Sequence, residues 1–146
     1  MLRTLSAMLG ILLVTTACGE SLQSASLTTP PPAAPPPIRA WMVFFDTNSS
    51  TLSEQANMTV RAAADVARTS ASSKVEVTGY TDTEGSVAVN QVVATRRANA
   101  VRDGLVRAGV PAQSIRMIAA GETGLLVPTP DNTKYPSNRR TMVVVQ

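Results

Sequence analysis

A chain of 146 residues with 44% apolar content can hold one folded domain plus appendages, and with 3% aromatic residues its core must be aliphatic and alanine-rich. Its 13 basic groups exceed its 10 acidic ones by only three, too weak an excess to argue for binding nucleic acid. There is no histidine and a single cysteine, so a Ser-His or Cys-His nucleophile and the commonest metal sites are excluded; the chain is expected to be no enzyme and to carry no metal or cofactor.

Residues 1 to 17, MLRTLSAMLGILLVTTA, place one basic residue before a short apolar run and then small residues. The run is well short of the ~20 residues that a bilayer requires, so the segment reads as a secretory signal rather than a membrane span. Cys18 follows directly and cannot form an internal disulfide. Thr15-Thr16-Ala17-Cys18 resembles the lipobox of bacterial lipoproteins, although leucine is more usual at the position of Thr15. That resemblance implies a diacylated Cys18 as the mature N-terminus. Gly19, where an aspartate would mark inner-membrane retention in many Gram-negative bacteria, implies the outer membrane. The alternative is an ordinary secretory signal with an incidental cysteine. On the lipobox resemblance, residues 18 to 39 are a lipidated cysteine and a linker, rich in Ser, Thr, Ala and Pro, with PPPAAPPP at positions 30 to 37. Such a segment buries too little apolar surface to order itself, and its prolines favour an extended spacer of ~3.1 Å per residue, roughly 60 Å in reach.

Residues 40 to 146 form the folded domain. AWMVFF, residues 40 to 45, is a continuous apolar run that suits a buried strand. It breaks at the turn-forming DTNSS, after which Thr51 with Glu54 has capping-box spacing and Ser53 is a second candidate cap. A helix over residues 53 to 69 follows, with Leu52, Ala56, Val60, Ala63 and Ala67 as its inner stripe. Residues 74 to 80 alternate as a strand covered better on one face. A helix over residues 87 to 108 has Gly109 to end it. Strands at 115 to 120 and 140 to 145 flank a long ordered loop, residues 121 to 138, which has three prolines and no clear period. The final strand alternates little and is expected to be central or well covered. The fold class is therefore α/β, βαβα then two strands, a small mixed sheet with helices on one face.

On a helical wheel at about 100° per residue, Val89, Val93, Ala94, Ala100, Val101, Leu105 and Ala108 of the second helix make one apolar stripe. Arg97 falls near its middle, and Asn90, two turns earlier, projects in almost the same direction. A charge on such a face is rarely buried unless it is paired. Asp82, at the end of the preceding strand, is the expected partner, either as a structural pair or as half of a ligand site.

GYTDTEG, NQVVATRRANAV and NRRTMVVV, in that order, resemble the OmpA-like C-terminal domain family of the peptidoglycan-associated lipoprotein type, over roughly residues 40 to 146. Tyr80 stands where His or Asn is more usual, and Val93-Ala94 replaces the common Leu-Ser. The resemblance implies an outer-membrane lipoprotein that binds peptidoglycan non-covalently through the diaminopimelate of the stem peptide, with its domain in the periplasm. It also implies that Asp82 receives the ligand ammonium and Arg97 its carboxylate, with Asn90, Thr81, Asp46 and Arg139 around them. For Arg139 and Arg140 a solvated pair flanking a strand is the other reading. The alternative function is a protein-interaction module of an envelope-spanning secretion, conjugation or pilus apparatus, with envelope proteins as partners.

Overall fold

The computed structural model describes residues 39–146. The expected signal, Cys18 and the proline-rich linker fall outside the described residues. The elements are β1 (Arg39–Phe44), α1 (Glu54–Ala67), β2 (Val75–Tyr80), α2 (Val87–Arg107), β3 (Ile115–Gly121) and β4 (Arg140–Val145). Short 3-10 turns cover Ala112–Ser114 and Pro136–Asn138, the second interrupting the long loop.

The sheet order is β1-β4-β2-β3, with β4 antiparallel to both of its neighbours and β2 parallel to β3. β4 and β2 are therefore the inner strands, as the weak alternation of the last strand predicts. The register sets Trp41, Val143, Val77 and Met117 in one row and Val43, Thr141, Gly79 and Ala119 in the next. That face buries Val43, Val75, Val77, Val143 and Val145 against Ala56, Val60, Ala63, Ala64 and Ala67 of α1 and Ala98, Val101 and Leu105 of α2. Both helices thus pack on one face, and small side chains let them approach the sheet closely. At Gly79 the approach leaves no room for a side chain: a Cβ there would lie 2.3 Å from the Ala94 carbonyl oxygen of α2.

Three local expectations resolve differently. The apolar run of β1 is buried on one side only: Val43 faces the core, whereas Met42 and Phe44 remain 42% and 49% exposed, because β1 is an edge strand and no helix among the described residues covers its other face. Ser53, not Thr51, caps α1, its hydroxyl accepting from the Ala56 N–H at 3.1 Å. The stripe of α2 divides along its length. Ala94, Arg97, Val101 and Leu105 face the core, while Val89 near the first turn is exposed and borders the cleft described below. At the other end α2 closes as sequence predicts, with Gly109 at φ +94. Val110 N–H donates to Leu105 O and Gly109 N–H to Val106 O, the paired bonds of a Schellman motif.

Candidate functional site

The site lies where the C-terminal end of β2, the start of α2 and the start of β4 converge. β2 ends in Thr81-Asp82-Thr83-Glu84-Gly85, a turn that Gly85 makes possible at φ +95, and the Ser86 hydroxyl then caps α2 by accepting from the Val89 N–H at 3.3 Å. Thr83 fastens the long loop to this turn: its hydroxyl donates to Pro130 O at 2.6 Å and accepts from the Thr133 N–H at 3.1 Å.

Arg97 is 1% exposed. It donates from Nε to Ser49 O at 3.1 Å, from Nη1 to Tyr80 O at 3.2 Å and from Nη2 to Asp46 O at 3.3 Å. Its guanidinium carbon stands 5.3 Å from the centre of the Phe45 ring. The expected direct Asp82–Arg97 bridge is absent among the described residues. Three backbone carbonyls occupy Arg97, and Asp82 takes Arg139 instead: Nη1 of Arg139 donates to Asp82 Oδ2 at 3.1 Å, and the Tyr135 N–H donates to the same oxygen at 3.1 Å. The Nε of Arg139 is spent on Phe45 O at 3.3 Å. Asp82 and Arg97 still feel each other. Burial pushes the Arg97 guanidinium down to about 10, the field of Asp82 opposing the fall and that of Arg139 adding to it. It stays charged at neutral pH.

Free valences matter most here. A guanidinium has five N–H donors, and the three bonds of Arg97 leave one N–H on each terminal nitrogen. Asp82 has Oδ1 unengaged, and the Thr81 hydroxyl is buried without a partner. These groups border a cleft of about 170 Å³ that also takes in Asn90, Arg139, Val89 and Val93. At ~30 Å³ per water, that is room for roughly half a dozen waters or one small amino-acid head group. The arrangement offers a cationic donor and an anionic acceptor in one cleft, with Val89 and Val93 on its wall.

Five of the six expected ligand residues, Asp82, Arg97, Asn90, Thr81 and Arg139, therefore share one cleft. Asp46 does not join them: its backbone carbonyl braces Arg97, and its side chain borders a neighbouring cleft with Phe44, Ser137 and Arg139. The solvated-pair reading of Arg139 and Arg140 is also overturned, since both are buried. Arg140 stacks 4.0 Å from the centre of the Tyr80 ring and donates from Nη2 to Gly124 O at 2.9 Å. Burial lowers its pKa, with Tyr80 opposing.

Sequence reading missed Glu122, whose Oε2 accepts from Asn90 Nδ2 at 2.6 Å. It also missed Asn138, whose amide makes two 2.9 Å bonds to the backbone of Val127 and pins the loop. A carboxylate directly after a strand-ending glycine was the available signal for Glu122. For Asn138 no local pattern distinguishes a buried backbone mimic from a turn residue.

A four-stranded mixed sheet with two helices on one face, and a polar cleft at the end of its inner strands, defines the class. The OmpA family profile matches residues 44–139, and the chain belongs to that family. It is 37% identical over 113 residues to an outer membrane protein of Gluconacetobacter diazotrophicus, across 73% of this chain and 30% of that protein. It is 30% identical over 103 residues to the peptidoglycan-associated lipoprotein of Agrobacterium fabrum, across 70% of this chain and 58% of that one. The chain thus spans less than two thirds of the length of either relative. Among solved structures, the peptidoglycan-associated lipoprotein from Burkholderia pseudomallei superposes with a TM-score of 0.66 at 25% identity, covering 72% of this chain and 89% of that one.

Proposed function

We propose that this protein binds peptidoglycan non-covalently, holding the zwitterionic end of diaminopimelate in the cleft, and that a lipid on Cys18 tethers the outer membrane to the wall from the periplasmic side. The observation that carries this reading is the pairing of unused valences: the two spare N–H groups of Arg97 suit a ligand carboxylate, and Oδ1 of Asp82 suits the ammonium beside it. Charge-assisted bonds of this kind are roughly twice as strong as neutral ones. The names of the Agrobacterium and Burkholderia proteins point the same way. We read the role as binding rather than catalysis; Glu84, the second carboxylate of the turn, pairs with Lys134 at 3.0 Å.

The test is sedimentation of the full-length chain with purified sacculi. Diaminopimelate-type walls are expected to carry it down and lysine-type walls to leave it in solution, because a lysine side chain ends in an ammonium with no carboxylate for Arg97. For the anchor, metabolic labelling with a palmitate analogue is expected to mark the wild type and to be abolished by Cys18→Ser; an unlabelled wild type would remove the tether. A second reading, an assembly module for an envelope apparatus, rests on Met42 and Phe44, which are exposed on a sheet face that no helix covers among the described residues. It gains if neither wall type sediments the chain.

A further inference from the structure

Asn90 sits in the second turn of the inward-facing row of α2, almost fully buried, and borders the cleft. An asparagine amide has a donor end and an acceptor end, and nothing in α2 itself decides which end meets a ligand. Glu122 decides it. A carboxylate can only accept, so the 2.6 Å contact forces Nδ2 of Asn90 toward Glu122 and turns Oδ1 the other way. No described residue donates to that Oδ1, as none donates to Oδ1 of Asp82.

The backbone is shaped for this contact. β3 ends at Gly121 with φ +62, and a Cβ there would stand 3.0 Å from the Gln91 side-chain oxygen. The next side chain of α2, Gln91, donates to Ala119 O at 2.6 Å and ties the helix to the same strand end. Gly121 lets the chain turn tightly over α2, which delivers Glu122 to Asn90.

We infer that Glu122 is a positioning residue that presents the Asn90 carbonyl to the cleft, so that Asn90 Oδ1 and Asp82 Oδ1 together form the seat for the ligand ammonium. The inference rests on the proposed diaminopimelate reading and adds the division of labour within it. Asn90 serves the ammonium and not the carboxylate, and its orientation is set by a residue outside the cleft.

A double-mutant cycle on the full-length chain tests this by calorimetry with two stem tripeptides. One contains diaminopimelate; the other contains 2-aminopimelate, which keeps the terminal carboxylate and lacks the ammonium. Glu122→Ala is expected to weaken the first roughly tenfold and to leave the second within about twofold. Asn90→Leu is expected to do the same. Because both act through one contact, the double variant should lose no more than the larger single loss. Glu122→Gln is isosteric and safe for the fold, but it can pair with the Asn90 amide in either orientation; a loss of about threefold, confined to the ammonium-bearing tripeptide, is expected. Wild-type affinity in Glu122→Gln and Glu122→Ala overturns the inference. So do fully additive losses, which would mean that Glu122 acts as a distant charge. A wild type that ignores the diaminopimelate tripeptide overturns the binding reading and this inference together.

Discussion

Gly79→Ala is expected to lower the midpoint of thermal unfolding by roughly 10 to 20 °C, a loss of about 3 kcal/mol. The added methyl carbon would fall 2.3 Å from the carbonyl oxygen of Ala94 and 3.0 Å from its carbonyl carbon, both backbone atoms. Neither side can yield cheaply. β2 is bonded to β4 on one edge and to β3 on the other, and α2 is held to the sheet by Arg97 and by Gln91. Against a total stability of about 5 to 15 kcal/mol, such a loss is severe. Gly104→Ala is the control. There the nearest atoms are the side-chain carbons of Val60, at 3.0 Å, and Leu52, at 3.3 Å, which can move, and alanine gains up to ~1 kcal/mol of helix propensity. Equal midpoints for the two variants, measured by circular dichroism, would show that the α2–β2 approach is looser than described.

Asp82→Asn is expected to have the second large effect, and on two properties at once. It removes the counter-charge of Arg139, whose side chain is only 10% exposed, so a cation is left buried and unpaired. Breaking such a pair typically costs about 3 to 5 kcal/mol of stability. It also removes the charge that would face the ligand ammonium, for a loss in binding of about 2 to 5 kcal/mol. The two roles separate in a second variant. Asp82→Asn with Arg139→Leu also removes the cation that had lost its counter-charge and leaves Arg97 on its three backbone carbonyls; an apolar replacement for a buried pair is often neutral or better, so most of the stability is expected to recover. Binding is not expected to recover. Thermal unfolding and calorimetry on the two variants decide the matter. If the double variant regains both stability and wall binding, Asp82 is a structural residue only.

The elements were legible because their signals are local. Alternation about Val75 and Val77, the alanine and valine stripe of α1, and Gly109 beyond α2 place their boundaries within a residue or two of those observed. The identity of the cleft residues was legible too, since Asp82, Asn90 and Arg97 stand on either side of one turn. Their partners were not. Arg139 reaches Asp82 across 57 positions, and which arginine wins depends on where β4 enters the sheet, a property of the register rather than of any short window. Arg97 looked like the natural mate because it lies near the middle of the apolar stripe. The carbonyls that hold it come from a turn 48 to 51 residues away, and carbonyls leave no trace in side-chain patterns. The exposure of Phe44 and Met42 was hidden for a similar reason: an apolar run states that a strand is sticky, and only the packing shows that, among the described residues, both helices lie on its other face.

Recognition of diaminopimelate by this cleft is tested most directly by sedimenting the full-length chain with purified diaminopimelate-type sacculi in the presence of free meso-diaminopimelate or of Nα-acetyl-lysine amide, which keeps the side-chain ammonium and has no free carboxylate. An excess of meso-diaminopimelate is predicted to release the chain into the supernatant, and an equal excess of the blocked lysine to leave it in the pellet. Pelleting that neither compound disturbs, or that occurs equally with lysine-type walls, would contradict the account.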